Sequence, residues 1–151
     1  MSETADVLSN LCVAIMTKFN ALVDDEHNSF WTAVNGRLFN GQPSIEAEYP
    51  YATFSIISAP IERTFSEEFT DTLVQFDFYS IVHASETRDM RYKCKALFDE
   101  QSLSITGSSL LWMREINAIG GDDPESVAST SQGTQNVWSY SADYEAKTSL
   151  D

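Results

Sequence analysis

The stretch Asp71–Phe98, DTLVQFDFYSIVHASETRDMRYKCKALF, decides the fold. From Leu73 to Tyr79 two sets of side chains alternate, Val74, Phe76 and Phe78 against Leu73, Gln75, Asp77 and Tyr79. That period of two predicts a half-buried strand whose Val/Phe face looks into the core. Ser85 then offers a hydroxyl to cap a helix, Glu86 falls in its first turn, and Met90, Cys94, Leu97 and Phe98 share one side. A strand that hands its chain directly to a helix with a matching apolar stripe predicts a two-layer α+β domain, helices packed on a sheet.

Towards the N-terminus, Thr4 can cap a first helix with Asp6 in its first turn, and Leu8, Leu11, Cys12, Ile15, Phe19 and Leu22 form its stripe. The acidic run Asp24, Asp25, Glu26 ends it. A short second helix around Phe30–Val34, preceded by the cap candidates Asn28 and Ser29, stops at Asn35-Gly36, residues that accept a left-handed backbone. The same pair could turn a hairpin, but FWTAV before it does not alternate. Leu38 and Phe39 begin a short strand, and the loop GQPSIEAEYP leads to a central strand, Tyr51–Ile57, with Ala52, Phe54 and Ile56 on one face. Pro60–Thr70 reads as an exposed hairpin arm or loop.

Towards the C-terminus, Ser102–Thr106 and Leu110–Asn117 read as two strands of a hairpin turned at Gly107, Ser108 and Ser109. Ala118–Thr134, AIGGDDPESVASTSQGT, has a Gly pair, a Pro and many small polar residues, the composition of a long mobile loop. The closing strand sets Trp138, Tyr140, Ala142, Tyr144 and Ala146 against Ser139, Ser141, Asp143, Glu145 and Lys147. The expectation is one domain over residues 1–151, with long acidic loops near 60–70 and 118–134. Its mixed, mostly antiparallel sheet has about four to six strands and is flanked by two main helices.

A chain of 151 residues buries about 68–70% of its unfolded surface and needs no staple to fold. Hydrophobic residues make up 42%, with nine Phe, six Tyr and three Trp, which excludes a disordered chain. Cys12 and Cys94 fall on apolar helix faces, where a thiol behaves as a small hydrophobe. MSETADVL lacks the basic start and apolar run of a signal peptide, and no stretch approaches the ~18 apolar residues of a membrane span. These features predict a soluble protein made in a cytoplasm.

The net charge is −14, from 23 acidic and 9 basic residues. Nucleic-acid binding needs clustered Lys and Arg, and the local group Arg88, Arg91, Lys93 and Lys95 interleaves with Glu86, Asp89 and Asp99 as on a solvated helix face. Strong acidity points instead to solubility or to a partner with a basic surface.

A search for chemistry singles out no catalytic, cofactor-binding or metal-binding residue. His27 and His83 lie in no nucleophile motif, and Cys12 and Cys94 lack metal-ligand spacing. Gly107, Gly120 and Gly121 stand outside any phosphate-cradling context. Asp122, Asp123 and Glu125 resemble a calcium loop only in being acidic, without its alternating carboxylates and closing Glu. Glu67, Glu68 and Asp71 could pair as hydrolase carboxylates, but no apolar pocket accompanies them in sequence. Trp138, Tyr140 and Tyr144 lack the basic neighbours of a base-stacking platform and read as core or subunit interface.

Several segments, taken in order, carry a resemblance: AVNGRLF (Ala33 to Phe39), PYATF (Pro50 to Phe54), VQFDFYS (Val74 to Ser80), KALFDEQSLSITG (Lys95 to Gly107), WMRE (Trp112 to Glu115) and WSYSADYEA (Trp138 to Ala146). From about Phe30 to Lys147 the chain resembles the tail terminator, or tail completion, proteins of long-tailed bacteriophages and prophages. The resemblance implies an α+β fold and a structural role without an active site or cofactor. Such proteins form a ring, generally a hexamer, that caps the tail tube, stops its polymerisation and offers its other face to the head connector. The implied partners are other copies of the chain, the tail tube protein and the head–tail connector, with no membrane and no specific nucleic-acid binding, although DNA passes through the ring. The implied location is the virion tail or neck, assembled in the host bacterial cytoplasm. In that setting Glu67, Glu68, Asp71, Asp122, Asp123 and Glu125, on the two acidic segments, become candidate interface residues. The alternatives are another phage neck or connector protein, an acidic module that binds a basic partner, and a metal-dependent hydrolase.

Overall fold

A computed structural model describes residues 3–21, 29–43, 48–64, 67–121, 123–124, 126–130 and 133–150. Three helices, α1 (Glu3–Asn20), α2 (Ser29–Ala33) and α3 (Ala84–Phe98), accompany seven strands. The strands are β1 (Leu38–Asn40), β2 (Tyr51–Ser58), β3 (Ile61–Arg63), β4 (Glu68–Ser80), β5 (Ser108–Gly120), β6 (Ser126–Thr130) and β7 (Gly133–Leu150). They form one sheet in the order β1-β2-β4-β7-β5, with β3 on β4 and β6 on β7. β1 runs parallel to β2 and every other pair is antiparallel. The α+β class and the mixed sheet are as expected, whereas the strand count exceeds the expectation because both acidic segments contribute short strands.

The alternation read in Asp71–Phe98 is the core. Val74, Phe76 and Phe78 of β4 are fully buried, with Ala52 and Phe54 on β2 and Ala142, Tyr144 and Ala146 on β7. Phe76 lies at the centre, its ring 5.3 Å from both Phe98 and Tyr144 and 5.8 Å from Phe54. Met90, Cys94 and Phe98 of α3 close over this face, and Leu97 packs at its margin. Phe19 of α1 meets Phe30 of α2, which meets Phe78, so edge-on rings 5.5 and 5.9 Å apart join both helices to the sheet. On α1, Leu11, Ile15 and Phe19 are buried as expected, while Leu22, Asp24, Asp25, Glu26, His27 and Asn28 lie outside the described residues. Helix α2 ends as read, with Asn35 at φ 51° and Gly36 at φ 73°, and no hairpin is turned there. Cys12 and Cys94 are free thiols, and burial raises the pKa of both.

Four expectations are corrected. The cap of α3 is His83 rather than Ser85: its extended backbone precedes the helix and its Nδ1 accepts the Ser85 N–H at 3.1 Å. Ser102–Thr106 is not a strand, because α1 side chains take its carbonyls. Asn10 Nδ2 donates to the Thr106 carbonyl (2.9 Å) and Lys18 Nζ to that of Ser102 (2.7 Å). Leu110–Asn117 therefore has no hairpin partner at Gly107 and pairs with β7 instead. Ala118–Thr134 is no loop, since β5 continues to Gly120 and β6 folds back on β7 from Ser126↔Val137 to Thr130↔Gly133. Within Pro60–Thr70, β3 pairs with the start of β4 from Ile61↔Thr70 to Arg63↔Glu68, giving the hairpin arm rather than the loop.

At the end of β5 a glycine is needed for space. A Cβ on Gly120 would stand 2.2 Å from Cδ2 of Tyr140, its cross-strand partner, whose ring covers the backbone there. Gly120→Ala is expected to lose about 1–3 kcal/mol of stability through overpacking. Urea denaturation checks this, and an unchanged midpoint would contradict it.

Candidate interaction surface

Helices cover one face of the sheet. The other face carries the residues that alternate with the core, in the rows Tyr51↔Tyr79↔Ser139, Thr53↔Asp77↔Ser141 and Ser55↔Gln75↔Asp143, then Leu73↔Glu145 and Asp71↔Lys147. At one end Tyr51 stacks on Tyr79 (4.9 Å between ring centres) and touches Tyr49 and Phe39. Burial, reinforced by the neighbouring tyrosines, pushes the Tyr51 phenol up. In the middle Asp77 accepts from Gln75 Nε2 (2.9 Å) and Ser141 Oγ.

At the opposite end lies a charged and aromatic cluster. Lys147 Nζ donates to Glu62 (3.1 Å) and stands over the rings of Phe69 and Trp112. Trp112 Nε1 donates to Glu145 (3.2 Å), and Arg114 lies over the Trp112 ring. Asp71 sits in this cluster with Oδ1 buried and unpartnered. Burial raises its carboxyl above the usual 3.8, Lys147 pulls it back down, and Glu62 raises it further.

A carboxyl whose folded pKa exceeds its unfolded one opposes folding above the folded value, and the penalty fades as pH falls towards the unfolded value. Asp71→Asn is therefore expected to raise the melting temperature at neutral pH only slightly, by about 1–2 °C, because solvent screens a half-exposed carboxyl. The gain should vanish as pH approaches 3.8. Melting curves across pH test this, and a lower Tm at pH 7 would contradict it.

The expected interface residues fall in two places. Glu68 pairs with Arg63 (3.0 Å) and Glu67 exchanges hydrogen bonds with Thr64, so both close the β3–β4 hairpin, and Asp71 lies three rows beyond Glu68. Asp123 is exposed between β5 and β6, while Asp122 and Glu125 lie outside the described residues. The end of the sheet that carries Asp71 is opposite the end of β5, which Asp123 follows. Asp71 is opposite Lys147 and Gly120 is opposite Tyr140, seven residues apart on β7, or about 24 Å at ~3.4 Å per residue.

His83 spends Nδ1 on the α3 cap. Among the described residues no group of His, Cys, Asp or Glu could hold a metal ion, and no helix is long and apolar enough to cross a membrane. Sequence reasoning missed the β6–β7 arm. Its signal was present, since SVAST and TQNVW flank Gly133 as two short β-prone runs.

The sequence matches no family profile and no curated protein. Its fold does have solved counterparts. A chain from a structure described as the virion of a native gene transfer agent (GTA) particle superposes with a TM-score of 0.70, covering 95% of this chain and 97% of that one at 9% identity. At that identity the likeness establishes a shared fold over nearly the whole of both chains.

Proposed function

We propose that this chain is a structural protein of a phage-like virion. In it, six copies form a ring that caps the tail tube, ends its polymerisation and presents the opposite face to the head connector. The observation that carries the reading is the near full-length fold likeness to a chain of a gene transfer agent virion. The ordered series of segments that resembles tail terminators supports it. So does the placement of two hairpins, β3–β4 and β6–β7, at opposite ends of one sheet, where one can reach the tube and the other the connector. A ring built by head-to-tail contacts closes on itself and leaves no surface on which the tube can continue, so the mechanism is geometric and uses no active site. The charge of −14 suits a lumen through which DNA passes without adhering.

Inactivating the gene in a bacterium that produces the particle tests the reading. Expected are headless tubes of uncontrolled length together with separate filled heads, and restoration by the intact gene. Tubes of normal length that merely fail to join heads would assign the chain to the connector instead. Normal particles would refute a virion role altogether.

A further inference from the structure

The face of the sheet that no helix covers has a cleft of about 200 Å³ at the foot of the β3–β4 hairpin. Pro60, Leu73 and Ile116 give it apolar walls, and Asp71 and Glu145 give it carboxylates. Ile116 is the extra residue of a β-bulge: Glu115 pairs with Tyr144 and Asn117 with Asp143, and Ile116, left over between them, is 51% exposed. A bulge re-aims a side chain, here into the cleft wall beside Leu73 and Glu145. Pro60 is held against Asp71, whose N–H donates to its carbonyl at 3.0 Å.

The carboxylates here are not equally answered. Glu145 accepts from Trp112 Nε1 at 3.2 Å, and Arg114 lies 3.7 Å from the same oxygen. Lys147, directly across the strand pair from Asp71, gives its hydrogen bond to Glu62 instead. Asp71 Oδ1 is buried and takes no hydrogen bond from any described residue. The charges that face Asp71 are Lys147 and Glu145 on β7 and Glu62 on β3, two of the three negative. A buried acceptor left without a donor destabilises the fold until something outside it supplies one. What fits is a cation on an apolar stem, whose methylenes lie along Pro60, Leu73 and Ile116 while its head meets the carboxylates.

This chain has little to offer as the source of that cation. Of its nine basic side chains, Arg63, Arg91, Lys93, Arg114 and Lys147 face carboxylates within the fold, and Lys18 and Arg37 donate to backbone carbonyls. A second copy would also bring a charge of −14 of its own, whereas a basic partner is attracted.

We propose that the cleft takes an arginine or lysine side chain from a different protein of the particle, the tube or connector protein that the β3–β4 hairpin meets. The inference rests on the virion reading above and adds the chemistry of the contact.

The test uses tubes and heads purified from a bacterium in which the gene is inactivated. Each is titrated in a sedimentation assay with the purified wild-type chain, Asp71→Asn and Ile116→Lys. Asp71→Asn removes the unanswered charge, and Ile116→Lys, at an exposed position, puts an ammonium of the chain's own at the cleft. Expected are wild-type binding to tubes or heads that weakens with salt, and binding about thirtyfold weaker or worse for both variants. Neither variant should melt below wild type, whereas a merely structural role for Asp71 would lower Tm and binding together. Wild-type binding by either variant would overturn the cleft contact and leave the virion reading standing. Rings that form in the wild type but not in Asp71→Asn would give the cleft to a neighbouring copy and overturn it too. A wild-type chain that binds neither tubes nor heads would overturn the virion reading itself.

Discussion

Phe76→Ala is expected to lower the free energy of unfolding by about 3–5 kcal/mol, the usual range for removing a buried phenylalanine. The side chain is completely buried and its ring touches four others, Phe54, Phe78, Phe98 and Tyr144, which belong to β2, β4, α3 and β7. Few positions join so many elements. Rigid aromatic neighbours held by a sheet collapse poorly into a void, which puts the cost towards the upper end of the range. Since the whole domain is worth about 5–15 kcal/mol, the variant should melt far below the wild type. Phe76→Leu should recover most of the difference. Urea denaturation of both gives the comparison, and an alanine variant within 1 kcal/mol of wild type, on the order of a surface change, would contradict this account of the core.

The second large effect concerns an ion pair that pins α3 to β5. Both ends of the Arg91 guanidinium meet Glu115, with Nε donating to Oε2 at 3.0 Å and Nη2 to Oε1. The Glu115 side chain is 7% exposed and that of Arg91 29%. The hydrogen bonds to Glu115 raise the arginine further above its ordinary value against the burial that lowers it. Removing one partner of such a pair strands the other's charge in a poor dielectric, so Arg91→Ala is expected to cost about 3 kcal/mol. Arg91→Lys should lose part of this, because an ammonium cannot reproduce the two-pronged geometry. The double change Arg91→Met with Glu115→Leu should be less harmful than Arg91→Ala, since no buried charge is left behind. Thermal unfolding of the three variants tests that order, and a double variant worse than Arg91→Ala would contradict it.

How far the fold could be read from the sequence depended on whether each element buries a face. β4 and β7 alternate cleanly because one side of each is core, and α3 shows its stripe because it closes over Phe76. β6 has no such signal. Val127 points to solvent, so no buried face gives SVAST a period, and its only mark is the β-prone composition of the two runs flanking Gly133. Ser102–Thr106 misled in the opposite direction, its Leu103 and Ile105 alternating like a strand while its carbonyls are held by Asn10 and Lys18 of a helix more than 80 residues away. The α3 cap was misassigned because serine is a favoured capping residue and histidine is not, although here the imidazole nitrogen does the same work.

The surface was legible only in outline. The sequence shows that Glu67, Glu68 and Asp71 form an acidic run, but not that Arg63 and Lys147 answer it. Lys147 reaches Glu62 across 85 residues of sequence, and only the pairing of β3 and β7 on either side of β4 brings them together.

The most direct test of the central claim is the mass of the purified chain in solution, measured by size-exclusion light scattering over a concentration series, with negative-stain images of the largest species. The account predicts closed rings of six copies that persist on dilution to concentrations at which nonspecific association is lost. A monomer at every concentration, with no rings on the grid, would contradict it.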